Sequence, residues 1–186
     1  MIEQMRSNWY ALYVRSRHEK SVHNQLDAKA EETLLPLYLK RNKWADRWKI
    51  VSLPLFPGYV FCRFDAARRA SVLATSGVID VVRAGSAPAP VEDSEIEAIR
   101  RLMKSSLPAE PYEELVQGES VTMTEGPLKG LSGTLIEIRA GYRLVLSVEL
   151  LQRSVAVEID RGWVVANKRP PLFCFDSSAP PLSKVV

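Results

Sequence analysis

Hydrophobic and polar positions along the first hundred residues change period several times, and the changes set out an α+β order. Residues 8–15 read NWYALYVR, with Trp9, Ala11 and Tyr13 on one face and Tyr10, Leu12 and Val14 on the other. This predicts a strand buried on both sides. Over residues 18–30 the period shifts: Val22, Leu26 and Ala30 recur every four positions, as on a helix packing one narrow face on a sheet. Residues 33–41 return to strand character, 49–55 and 59–64 give two more strands, and 66–76 a short helix ended by Gly77. Residues 78–83 form a further strand. Residues 92–105 are the clearest helix: acidic residues crowd its first turn, Arg100, Arg101 and Lys104 its last, and Ile96, Ile99 and Met103 mark an apolar edge. The expected unit is a mostly antiparallel sheet with its helices on one side.

Residues 107–117 (LPAEPYEELVQ) combine prolines and glutamates without a period and predict a linker at 108–117. Beyond it the pattern is short strands only: around Val121 and Met123, then 134–138, 143–150, 154–159 and 163–165, with turns at Gly126-Pro127, Ala140-Gly141 and Asp160-Arg161-Gly162. Five strands in so short a span predict a small SH3-like barrel. Leu144, Leu146, Val148 and Leu150 alternate, which favours strands over a helical hairpin. The expected domains are therefore 1–107, a linker at 108–117, a barrel at 118–166 and a tail at 167–186. The tail holds four prolines, and its composition predicts disorder.

Charge sharpens this division. Residues 1–107 carry 17 Lys and Arg against 12 Asp and Glu, while residues 108–186 carry 8 against 10. The basic excess is densest at residues 40–49, KRNKWADRWK, which reads as a hairpin tip. Such a tip suits either a polyanion or plain solvent. No apolar run approaches a membrane span, and the first residues lack the order of a signal peptide, so a cytoplasmic setting without membrane contact is expected. Cys62 and Cys174 are too few and too far apart for a disulfide framework or a zinc site.

Catalytic chemistry finds little footing. His18 and His23 are five apart, off the i, i+4 spacing of a helical zinc pair. Gly126-Pro127-Leu128-Lys129-Gly130 is followed by neither Ser/Thr nor a helix, so it fails as a phosphate loop. No catalytic residue, metal or cofactor is expected. What stands out is aromatic: Phe56-Pro57-Gly58-Tyr59-Val60-Phe61, with Trp9, Tyr10 and Tyr13 in the first strand. Tyr59 and Phe61 share a strand face. Core packing and an exposed patch for a protein partner both fit these residues.

Taken together, the chain resembles the NusG family. Trp9-Tyr10 opens the first strand, Leu55-Phe56-Pro57-Gly58-Tyr59-Val60-Phe61 matches the FPGY signature of an NGN domain, and Gly126–Gly133 matches the glycine turn of a KOW domain. Residues 15–20 (RSRHEK), Pro54-Leu55-Phe56-Pro57 and residues 144–157 look closer to specialised paralogues of the RfaH and UpxY kind. The resemblance implies a transcription elongation or antitermination factor, not an enzyme, that works as a monomer. Its NGN domain would dock on the clamp helices of the RNA polymerase largest subunit, bridge the DNA cleft and suppress pausing or termination.

Carried onto this sequence, the docking residues are Tyr13, Phe56, Pro57, Tyr59 and Phe61. Arg68 and Arg69 stand where RfaH has a His-Thr-Thr element that touches the other side of the cleft. Arg15, Arg17, Lys40, Arg41 and Lys43 are the candidates for the non-template DNA strand, with Trp44 or Trp48 to stack on a base. Leu150, Leu151, Gln152 and Arg153 match the KOW surface that takes a small-subunit ribosomal protein or Rho; a leucine here replaces an aromatic of NusG. A KOW-type ribosomal or RNA-binding protein is the alternative, and the FPGY-bearing first domain argues against it.

Overall fold

The first strand of the chain is also the centre of its first sheet. In the computed structural model, β1 (Asn8–Val14) is antiparallel to β5 (Tyr59–Phe64) in continuous register from Asn8 opposite Phe64 to Tyr13 opposite Tyr59. Its other edge is shared: β6 (Val78–Val81) takes the C-terminal part and β9 (Pro90–Val91) takes Trp9 and Tyr10. β2 (Glu32–Leu34) adds to the far side of β5. The structure describes residues 7–167 except 30, 45–46, 66, 113–117, 139–140, 149–150 and 152. The tail beyond 167 lies outside the described residues.

A strand apolar on both faces needs cover on both, and it receives it. On one side Leu12 and Val14 pack with Val60, Cys62 and Phe64 beneath Val22 and Leu26 of α1 (Glu19–Asp27) and Val72 of α2 (Arg69–Leu73). On the other, Trp9, Ala11 and Phe61 pack with Ile96, Ile99 and Leu102 of α3 (Asp93–Lys104). The one-sided arrangement expected from the sequence is thus corrected. The apolar edge of α3 also differs by one position: Leu102 is buried, whereas Met103, a hundred degrees further round the helix, is 38% exposed.

Two ribbons stand apart from this sheet. β3 (Leu37–Trp44) and β4 (Arg47–Pro54) form a long hairpin, and β7 (Arg83–Ala84) with β8 (Ala87–Pro88) a short one.

Among the described residues the second half is built of strands, with one 3-10 turn at Arg161–Trp163, as its turn spacing predicts. β11 (Glu119–Met123), β12 (Ser132–Ile138), β13 (Gly141–Val148), β14 (Arg153–Ile159) and β15 (Val164–Ala166) follow in antiparallel order. Gly126 sits at φ +75°, and a Cβ there would meet the Trp163 ring at 2.8 Å, so the glycine turn is held closed by an indole. The stretch expected to be a linker is only partly connecting chain. Its residues Ala109–Tyr112 form β10, antiparallel to β14, with Pro111 opposite Val155.

The halves share one apolar cluster. Phe56, Ile99 and Leu102 belong to the same buried group as Leu146, Val148 and Val155 of the second sheet. Across this junction Arg101 donates a hydrogen bond from Nη2 to the carbonyl of Lys129.

Candidate functional site

The end of β1 and the start of β5 bring two aromatic side chains together. Tyr13 and Tyr59 are directly opposite in the antiparallel register, their ring centroids 5.7 Å apart and tilted by 49°. Tyr13 is 47% exposed and Tyr59 half-buried. Pro57, exposed, and Gly58 make the turn that delivers Tyr59. Gly58 needs its φ of +84°, a conformation that disfavours any side chain. Its amide donates to Oε1 of Glu19 at 2.9 Å, and Glu19 is only 6% exposed at the start of α1. That carboxylate ties the turn to the helix. Nothing in the sequence pattern flags Glu19, because the reason lies in a contact across 39 positions.

Of the five expected docking residues the structure brings three to this surface. Phe61, two residues along the same face as Tyr59, is fully buried under α3. Phe56 is also buried, at the junction of the two halves, and meets Phe61 edge-on at 5.6 Å. Both are corrected from candidate contacts to core: an unsubstituted ring has no polar atom to keep at a surface, and α3 and the second sheet are there to cover it.

A cleft of about 480 Å³ lies over the tyrosines, lined by Tyr13, Ser16, Pro57, Tyr59, Val82 and, from the second sheet, Arg153. Arg153, exposed, therefore comes to the same cleft as the aromatic patch although 94 residues separate it from Tyr59. Leu151 is buried, and Leu150 and Gln152 lie outside the described residues.

Arg68 is committed within the chain. Its Nε donates to Oε1 of Glu31 at 2.8 Å, and its backbone amide to Asp65 at 2.9 Å. Glu31 is 7% exposed, and a buried carboxylate demands a cation. The Arg68 side chain nonetheless remains 52% exposed beside that ion pair. Arg69 is half-buried on α2. Arg15 and Arg17 are exposed in the turn after β1, Arg17 at φ +65°. Lys40, Arg41 and Lys43 are exposed on β3, where Arg41 lies 4.6 Å from the centroid of the Trp48 ring.

Titration behaviour marks structure rather than chemistry. Hydrogen bonding from Arg100 is the chief cause that holds the Glu32 carboxyl below its usual range, with Arg63 helping and burial opposing. Asp80 is lowered mainly by the amide of Val81 and then by Arg83. Burial pushes the Cys62 thiol up to about 12, with Glu31 and Glu32 adding to it, so this sulfur stays protonated and is no nucleophile at neutral pH. His23 shares a hydrogen bond with Thr33 at 2.8 Å, and His18 contacts the carbonyl of Ser16. Among the described residues no cluster of His, Cys, Asp or Glu could hold a metal, and no helix is long and apolar enough to cross a membrane.

Comparison with known proteins bears on this geometry. A family model described as "Transcription termination factor nusG" matches residues 7–100, half of the chain. The "Transcription termination/antitermination protein NusG" of Halalkalibacterium halodurans is 26% identical over 171 residues, covering 84% of this chain and 96% of that protein. Its namesake in Helicobacter pylori is 26% identical over 167 residues, covering 82% and 94%. A solved structure described as "Domain interaction in Thermotoga maritima NusG" superposes over 86% of this chain and 97% of that one, with a TM-score of 0.56 and 22% identity, a likeness of fold.

Proposed function

The chain belongs to the NusG family of transcription termination and antitermination factors, and from that premise we propose that it holds RNA polymerase through the Tyr13–Tyr59 end of its first sheet. The clamp helices of the largest subunit are the intended partner, and the consequence is a bridged DNA cleft with pausing or termination suppressed. One observation carries the reading: exposed Tyr13 and half-buried Tyr59 pair their rings 5.7 Å apart at the end of a strand pair whose next apolar residues on that face, Ala11 and Phe61, are covered. Tyrosine suits such a surface because it buries a large apolar face at low entropic cost and keeps its hydroxyl wet.

The second half then offers exposed Arg153 to a small-subunit ribosomal protein or to Rho, with Leu150 and Gln152 kept as candidates from the sequence alone; Leu151 is buried and drops out of that surface. Arg153 lines the same cleft as Tyr13 and Tyr59, so the two partners would meet neighbouring residues. The exposed cations Arg15, Arg17, Arg41 and Lys43 supply salt-dependent attraction to nearby DNA, the non-template strand among it. Arg68 and Arg69 remain candidate polymerase contacts.

The test is elongation in vitro on a pausing template. Tyr59→Ala is expected to fold as the parent does and to lose the effect on pausing and the capture of core polymerase. Unchanged pausing with the variant would remove the patch from the mechanism. A chain that retained ribosomal RNA and ignored polymerase would instead be a KOW-type RNA-binding protein.

A further inference from the structure

The seam between the two halves holds a cleft of about 310 Å³. Ala98, Ile99 and Leu102 of α3 contribute to its lining, and so do Leu131, Leu146 and Val155 of the second half. Ala98 and Leu131 are only half-buried, so the packing that joins the halves stops short of closing this gap. A cleft lined mainly by apolar side chains calls for an apolar occupant.

The end of the chain lies within reach. Asn167 donates its amide to the carbonyl of Ser120 at 2.8 Å and accepts at Oδ1 from Thr122 Oγ1 at 2.7 Å. Thr122 Oγ1 is in turn 2.9 Å from Oγ of Ser132, and Ser132 lines the cleft. Two strand spacings, from β15 across β11 to β12, put Asn167 about 10 Å from that rim. Leu172-Phe173-Cys174-Phe175 is the longest apolar run of residues 168–186. Five residues separate Asn167 from Leu172, a stretch that spans up to about 17 Å, so the run reaches the cleft.

Composition fits the path. Pro170 and Pro171 come between, and each ring fixes φ and lowers the entropy lost when the segment settles. Lys168 and Arg169 precede them, while the first turn of α3 carries Asp93 and Glu95, and Glu95 lines the cleft. The exposed apolar side chains of the β3–β4 hairpin stand instead among Arg41 and Lys43, which would repel that basic pair. So short a tether also holds the run at an effective concentration in the millimolar range, so that even a weak site fills.

We propose that residues 172–175 dock in this cleft and staple α3 to the second sheet, with the Cys174 thiol sheltered between the two phenylalanine rings. Lys168 and Arg169 then face the acidic first turn of α3. The inference concerns the seam and stands apart from the polymerase reading.

The thiols supply the test. Cys62 is fully buried with its thiol pushed up to about 12, so alkylation by iodoacetamide reads Cys174. In the full chain Cys174 is expected to react about tenfold more slowly than in a free peptide of residues 167–186, at a rate independent of protein concentration. Ala98→Lys puts a charge into the cleft from a half-buried helix position and should restore the peptide's rate. Phe173→Ser should do the same, measured against a peptide carrying that change, and it leaves the described cores untouched. Unfolding of a variant would announce itself as a second reacting thiol, Cys62. A full chain that reacts at the peptide's rate would overturn the staple. Protection that survives Ala98→Lys or Phe173→Ser would overturn it too, by placing the cover elsewhere. Protection that grows with protein concentration would do so by making a second copy the occupant.

Discussion

Two aromatic pairs draw on the short segment 56–61 and meet different fates. Phe56 and Phe61 have centroids 5.6 Å apart and are 2% and 0% exposed; Tyr13 and Tyr59 are 5.7 Å apart, and Tyr13 is 47% exposed. Tyr13, Tyr59 and Phe61 even share a sheet face, since Ala11 opposes Phe61 and Tyr13 opposes Tyr59. What separates them is cover: Phe56 and Phe61 lie in the buried cluster that α3 and the second sheet complete, Tyr59 packs at its margin and Tyr13 lies open. Proximity in sequence to a signature motif therefore says little about which of its aromatics meet a partner. What the rest of the fold lays over each ring decides.

The comparison breaks if the two pairs respond alike to truncation. Phe61→Ala should destabilise the chain by about 3–5 kcal/mol in denaturant unfolding, because nothing nearby collapses into the space left by a buried ring. Glu19→Ala should come next, at about 1–2 kcal/mol, since it leaves the part-buried Gly58 amide in the turn before Tyr59 without its acceptor. This variant should also weaken polymerase capture, linking the covered side of the sheet to the open one. Tyr13→Ala should cost no more than about 1 kcal/mol, mostly the lost ring pair, while impairing capture as Tyr59→Ala does. A large stability loss from Tyr13→Ala would make that pair core after all.

The smallest effect concerns Glu32, whose carboxylate receives Arg100 Nη2 at 2.6 Å and Arg63 at 3.3 Å. Its folded pKa is lowered, so the contribution is present above the unfolded value of about 4.3 and fades as pH falls through the folded one. Glu32→Gln should be slightly less stable than the parent near neutral pH and indistinguishable from it well below that range. Solvent screening keeps the difference small, since the Glu32 side chain is 46% exposed.

Much of the first domain was legible because period reports burial. The double-sided apolar pattern of β1, the four-residue repeat of α1 and the charged ends of α3 each became the expected element. The side of the sheet on which each helix lies was not legible, since a stripe announces only that something must be covered. The choice of Met103 over Leu102 failed for a related reason: at the end of a short helix both lie near the apolar edge, and only the sheet selects. Phe56 and Phe61 were read as a patch because their type suits either place. The prolines and glutamates of 108–117 hid β10, whose Pro111 sits on an edge strand, where a missing amide is tolerated.

That edge strand sets the leash between the two halves. From the end of α3 at Lys104 to the start of β10 at Ala109 there are four residues, spanning about 14 Å at full stretch. While β10 stays paired with β14, only those four residues join α3 to the second sheet. Were the strand unpaired, the connection would run from 105 to 118 and reach on the order of 45 Å. A handful of backbone hydrogen bonds thus fixes how much slack the chain has between its two halves.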